Sequence, residues 1–308
     1  MPYSEASTHA DSIDPSYFDD LRSLVDFRLG ELFPDKRSPP RLICAIRHGL
    51  LSPGKRFRPI ISLLACRQWG ADEQDALDVA CAVEMVHAAS LMMDDLPSMD
   101  DAQLRRGCVP THVVFGEGTG MLATITLLNE AYGLIANMES LAPNRRLKCA
   151  KYLSEAVGPD GLAGGQENDI ACDGNGVTKT LADMELRHRQ KTGALFAAAA
   201  AMGAEAARAD ADFVEAMWDY GLALGLGYQA FDDVVDCSAA SEETGKDMGQ
   251  DEGKSTVVSL LGRDGASSNA SVWLGRARRI ADGAGGRGPR RLSALAHLVE
   301  QKFTALTA

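Results

Sequence analysis

Apolar side chains recur every three to four positions across residues 76–93, 121–138, 183–204 and 212–235. That period sets one stripe of an α-helix against a core. Alternating runs of Val, Ile and Thr, the mark of a half-buried strand, are scarce. The pattern predicts an all-α protein: a single large helical bundle, one domain across residues 1–308. Proline and glycine punctuate it at 34–40, 52–54, 116–120, 158–165 and 172–176, where loops between helices are expected. None of these breaks is long enough to be a domain linker. Residues 1–14 are expected to be mobile, and the stretch 264–290, rich in Gly, Ser and Arg, to be a flexible segment before a last helix over about 291–305.

Composition and charge then narrow the class. With 45% hydrophobic and 24% charged residues, the chain has the mix of a well-cored soluble protein. A net charge of −12 argues against nucleic acid as a partner, because a polyanion needs a broad basic surface. A small anion held by a local basic cluster stays compatible with it. The seven cysteines are scattered, odd in number and without a CxxC pair, so neither a disulfide framework nor a zinc site is indicated, and a reducing cytoplasm fits. The acidic N-terminus lacks the apolar run of a secretory signal. The small-apolar stretch 194–204 is short of the ~20 residues that cross a bilayer, so no membrane span is expected.

Two acidic clusters carry the candidate chemistry. The first, DDLPSMDDAQLRRG at 94–107, ends the apolar run AVEMVHAASLMM; the second, GYQAFDDVVD at 227–236, also closes an apolar run. A carboxylate at the end of a buried helix must be paired or bound to metal, since an isolated charge near low dielectric is costly. Asp232 and Asp236 are four apart and share a helix face. Asp94 and Asp100 are six apart with Pro97 between them, a spacing that needs a local break to align the two. One DD-x-x-D is most often a solvated helix end; two, each ending an apolar helix, suit Mg²⁺, which keeps waters and is completed by substrate phosphates.

Basic residues accompany the acids. Lys55, Arg56 and Arg58 stand in SPGKRFRP at a loop that opens a helix, a place where N–H groups and cations together bind anions. Arg105 and Arg106 follow the first acidic motif, while Lys191, Lys246 and Lys254 accompany the second. Each alone reads as a surface charge; together, in an acidic chain, they read as a diphosphate site. Two like charges 4 Å apart repel by roughly 4 kcal/mol at an effective dielectric near 20, so aspartates without metal would expel a diphosphate. A lone histidine on an apolar helix is usually a satisfied core residue, but His87 lies seven residues before Asp94, two turns back on the same face.

This ordered series resembles the trans-isoprenyl diphosphate synthases, most closely the bacterial geranylgeranyl diphosphate synthases. It is carried by GKRFRP, VEMVHAASLMMDDLPSMDDAQLRRG, VFGE, GLAGGQ, KTGALF, GYQAFDDVVD and GKDMGQDEGKSTVVSLLG over about residues 40–262. The resemblance implies an isoprenoid-synthase bundle around a central cavity, joining isopentenyl diphosphate to an allylic diphosphate. It implies that Asp94, Asp100 and Asp232 coordinate Mg²⁺, with Asp95, Asp233 and Asp236 in support. It implies that Arg105, Lys191, Lys246 and Lys254 bind the allylic diphosphate, and that Lys55, Arg58, His87 and Arg106 bind isopentenyl diphosphate. Thr192 and Gln229 would face the developing allylic cation, and Gln166 and Asp169 match the family in a capping or supporting role. A homodimer is implied as well.

Product length follows from space. The growing chain runs back along the helix that bears Asp94, so Ala89 and Ser90 form its floor, with Met85, Val86 and the facing helix at about 121–132 setting the limit. Both floor residues are small where short-chain members carry an aromatic ring, which implies the twenty-carbon geranylgeranyl diphosphate. Thr124 and Ile125 replace a frequent Gly-Asp pair, Cys108 replaces a basic residue, and only Lys302 stands near the C-terminus where basic residues are usual. Synthases of other chain length, a class I terpene cyclase and a non-catalytic regulatory subunit are the competing readings.

Overall fold

The computed structural model describes residues 15–172, 180–237 and 256–307. The N-terminal stretch expected to be mobile, together with Lys246 and Lys254, lies outside the described residues. Among those described, α1 (Pro15–Leu32), α2 (Pro40–Leu50) and α3 (Phe57–Trp69) lead through a short 3₁₀ turn into α4 (Leu77–Asp94). Then come α5 (Thr111–Phe115), α6 (Glu117–Ala136), α7 (Pro143–Val157), α8 (Leu162–Cys172) and α9 (Leu181–His188). A π-turn over Arg189–Gly193 joins α9 to α10 (Ala194–Ala206), followed by α11 (Ala211–Asp236), α12 (Val257–Gly283) and α13 (Arg291–Thr307). The described part of the chain is all-α.

The central helix is α10, whose sequence ALFAAAAAMGAEA is buried at every position and packs on α3, α4, α7 and α11. Alanine and glycine allow this by letting backbones touch. A Cβ added to Gly203 would lie 2.1 Å from the Ser62 carbonyl oxygen, and one added to Gly221 2.3 Å from that of Phe196. The helix α4 is also buried along most of its length and packs on α3 and α6. The stretch Glu73–Asp94 is long and apolar enough to cross a membrane, but 78% of its most apolar window is buried inside the bundle, which accounts for its composition.

Three sequence expectations differ from what is observed. The segment 264–290 does not form a loose tether: residues 264–283 belong to α12, and Ala266, Ala270, Leu274, Ala277 and Ala281 are buried. Its small residues make a helical stripe packed on α11, and Gln68 ties off the end by donating from Nε2 to the Ala281 carbonyl at 2.8 Å. The true interruption is Gly262, with φ 70° and ψ 171°. The break at 116–120 reduces to Gly116, and α8 begins at Leu162 inside the expected loop 158–165.

Candidate active site

The first acidic motif sits where α4 stops. Beyond Asp94 the chain folds back on itself: the Asp100 N–H donates to the Asp94 carbonyl at 2.9 Å, Asp101 to Leu96 at 3.1 Å and Ala102 to Asp95 at 3.2 Å. This turn supplies the break that the six-residue spacing demanded. Arg105 closes it with Nε 2.6 Å from Asp95 Oδ1 and Nη2 3.4 Å from Asp100 Oδ2. Asp95 is only 4% exposed, and burial raises its pKa despite Arg105. Asp94 is pushed up to about 6, first by burial and then by repulsion from Asp100 and Asp95, which together outweigh the attraction of Lys191 and Arg105.

A two-residue turn then separates two adjacent arginines. Arg105 and Cys108 exchange both N–H···O bonds at 2.9 Å, while Arg106 (φ 54°) and Gly107 (φ 76°) take the positive φ of a tight hairpin turn. Arg105 therefore reaches the aspartates and Arg106 turns away to His87. Arg106 Nη2 and Arg58 Nη1 each lie 3.2 Å from His87 Nε2. With two guanidiniums donating to one ring nitrogen, His87 is neutral and carries its proton on Nδ1. Burial and the nearby arginines hold its pKa well below the usual histidine range. Gly54 leaves the room: a Cβ there would meet Arg106 Nη1 at 2.6 Å.

Arg58 and Lys55 complete this basic corner. Arg58 lies over the Phe196 ring at 4.6 Å with its Nε buried and unpaired, and burial pushes its pKa to about 10. Lys55 Nζ is 6.0 Å from the ring centres of Phe57 and Tyr228. Arg56, grouped with these cations by sequence, does not join them. In left-handed conformation (φ 50°) and 4% exposed, it bonds Asp26, Glu84 and the carbonyls of Leu50 and Ser52. It clamps the α2–α3 loop, and all its donors but one are used in the fold.

The second motif lies on α11. Thr192 Oγ1 donates to Gln229 Oε1 at 2.7 Å, and Gln229 Nε2 donates to Asp233 Oδ1 at 3.1 Å. Asp233 Oδ2 accepts the Val257 N–H at 3.2 Å and lies 3.4 Å from His188 Nε2. Burial works against its charge, but His188, Gln229 and Val257 together lower its pKa. Asp233 thus anchors the start of α12 to α9 and α11. Asp232 acts electrostatically on Arg58 and Tyr228, and Asp236 is exposed in the last turn. Lys191, on the π-turn, is bonded to Asp169 and feels Asp94 and Asp100.

Among the described residues, no three His, Cys, Asp or Glu side chains gather as a closed metal shell. The donors are hard carboxylate oxygens, and the raised Asp94 marks negative charge that a divalent cation would neutralise. Such a donor set fits an ion that keeps waters and shares phosphate ligands. The proposed floor is apolar and close-packed: Ala89, Met85 and Val86 are buried, while Ser90 turns its hydroxyl to the His87 carbonyl at 2.9 Å. Sequence reasoning missed His188 and the buried Glu84, which carry no motif signal.

Comparison with known proteins gives concordant matches. The polyprenyl synthetase family model matches residues 39–275. A geranylgeranyl diphosphate synthase from Pantoea ananas is 41% identical over 240 residues, 77% of this chain and 78% of that one. A farnesyl diphosphate synthase from Geobacillus stearothermophilus is 36% identical over 267 residues, 85% and 89% of the two chains. The crystal structure of a Helicobacter pylori geranyltransferase complexed with magnesium and isoprenyl diphosphate superposes with a TM-score of 0.78 at 27% identity, covering 96% of this chain and 97% of that one.

Proposed function

Because the chain belongs to the polyprenyl synthetase family and is a trans-prenyltransferase, we propose that it condenses isopentenyl diphosphate with an allylic diphosphate, with Mg²⁺, to give geranylgeranyl diphosphate. The observation that carries this reading is the turn at Arg105–Cys108, which directs Arg105 to Asp95 and Arg106 to His87, so that neighbouring arginines would serve two anion sites of different character. One site has cations and a neutral histidine, as a diphosphate that must stay attached requires. The other mixes cations with carboxylates, as a diphosphate that must leave carbon requires. Five of the curated relatives' names refer to synthases of the twenty-carbon product, at 38–41% identity and of bacterial and plant origin.

Asp94, Asp100 and Asp232 are the residues that would hold Mg²⁺, with Asp95 and Asp236 in support; Asp233 supports them by anchoring α12. When bound, Mg²⁺ supplies Lewis-acid and electrostatic stabilisation of the leaving diphosphate. Arg105 and Lys191, with Lys246 and Lys254, would grip that diphosphate. Lys55, Arg58, His87 and Arg106 would hold isopentenyl diphosphate by N–H and guanidinium donors. The allylic C–O bond breaks, the isopentenyl double bond forms the new C–C bond, and the proton lost from the adjacent carbon passes to the released diphosphate. The Thr192 and Gln229 oxygens face the transient positive charge, and the apolar walls of α4, α6 and α10 exclude water from it.

Action in the cytoplasm as a homodimer belongs to the same reading. Val113 and Val114 of α5 and Met121, Leu122 and Ile125 of α6 are exposed, an apolar face that a second copy would cover. The test is to incubate the pure protein with isopentenyl diphosphate and each allylic starter, with and without Mg²⁺, and to analyse chain length. A twenty-carbon diphosphate formed only with Mg²⁺ is expected; no incorporation from any starter overturns the assignment. Ala89→Phe should shorten the product, and an unchanged distribution would sink the account of the floor.

A further inference from the structure

One face of α8 is fitted to the π-turn. A Cβ on Gly165 would lie 2.6 Å from the Lys191 backbone nitrogen and 2.9 Å from its Cα, so α8 rests directly on the backbone that carries Lys191. One turn later, Asn168 Nδ2 donates to Gln190 Oε1 at 3.0 Å. The neighbouring Asp169 receives Lys191 Nζ on Oδ2 at 2.5 Å and Arg187 Nη1 on Oδ1 at 3.0 Å. Residues 165, 168 and 169 share one helix face, and all three meet the same turn. The Lys191 ammonium is two-thirds buried, yet its pKa is raised: burial opposes the charge, and Asp169, then Asp94 and Asp100, outweigh it.

We infer that Asp169 is a positioning residue, which holds Lys191 out toward the leaving diphosphate and off the metal-binding aspartates. The inference rests on Lys191 being a ligand of the allylic diphosphate. The carboxylates that act on Lys191 after Asp169 are Asp94 and Asp100. Freed from Asp169, the ammonium is drawn to them, where it occupies the charge that a divalent cation must meet. Asp169 itself does not touch the reacting atoms; it acts through Lys191, and Gly165 sets the distance.

The experiment compares Asp169→Asn, Lys191→Ala and the double variant. It reads KM for each substrate, the Mg²⁺ concentration at half-maximal rate, and the Kd of a non-ionising allylic thiodiphosphate. D169N should raise the allylic KM and the thiodiphosphate Kd roughly tenfold, the loss of a charged hydrogen bond, with the isopentenyl KM unchanged. It should also raise the Mg²⁺ requirement, and that rise should disappear in the double variant because no ammonium remains to compete. An allylic KM that falls, or D169N effects that persist in full without Lys191, would overturn the inference. If Lys191→Ala leaves allylic binding intact, the assignment of Lys191 fails instead, which keeps the two failures apart. Should D169N not fold, Asp169→Glu keeps the charge one methylene displaced and is expected to give the same pattern at smaller amplitude; a folded D169E with wild-type allylic KM and wild-type Mg²⁺ requirement would overturn the inference.

Discussion

Asp94→Asn should make the metal-free protein more stable while removing the Mg²⁺-dependent activity proposed for it. In the fold the Asp94 pKa rises to about 6, against ~3.9 for an aspartate in an unfolded chain. Two units correspond to roughly 3 kcal/mol of penalty on the charged form. The sign follows from proton uptake. The folded state holds the proton to higher pH than the unfolded state, so stability falls as pH rises from about 4 to about 6, and the full penalty applies above that. An uncharged asparagine escapes it. For 308 residues, with an unfolding entropy of ~2.1 cal/mol/K each, 3 kcal/mol is a Tm gain of about 4–5 °C. Thermal or guanidinium melts in chelator are the assay. The gain should be complete at about pH 7.5, about half as large at about pH 5, and small near pH 4. Equal stability of the two proteins at neutral pH, or a difference independent of pH, would refute the reasoning.

The basic corner gives two further expectations. Gly54→Ala should push Arg106 off His87 and raise the isopentenyl KM about five- to thirtyfold, an effect of ~1–2 kcal/mol, with the allylic KM spared; equal rises in both would point to general distortion. His87→Gln, whose carbonyl oxygen can accept from Arg58 and Arg106, should keep most isopentenyl binding, whereas His87→Ala should lose about tenfold. Because the fold refuses the proton that an unfolded His87 takes up, this residue should cost stability as pH falls below about 6.5, and His87→Gln should flatten that slope in acid melts.

The helices, both acidic motifs and most of the basic set were legible in the sequence, because helical period and charge type are local properties. The errors arose where one residue type serves two ends. Glycine and serine in 264–290 read as breakers, yet Ala266, Ala270, Leu274, Ala277 and Ala281 keep helical spacing and give α12 a thin face for close packing on α11. Arg56 looked like its neighbours Lys55 and Arg58, and only the partners Asp26 and Glu84, 30 and 28 positions away, reveal that it is spent on the fold. Arg105 and Arg106 are consecutive letters, and nothing in that adjacency says that positive φ at Arg106 points them apart. For Asp233 the motif implies a supporting role, but not the form it takes: its bond to the Val257 N–H depends on where α12 begins, which no motif records.

The backbone contact around α10 has a consequence for how the enzyme can diversify. With Gly203 against Ser62 and Gly221 against Phe196, a single added methyl on this side meets main chain, and main chain cannot rotate out of the way. Bulk is therefore closed to these two positions, and variation in what the protein makes is expected from side chains of α4 and α6, the helices proposed to form the floor. Added bulk is prohibitive where α10 meets α3 and α11, so new products should be sought by mutating the proposed floor residues of α4 and α6 while the alanine-rich axis is left as it is.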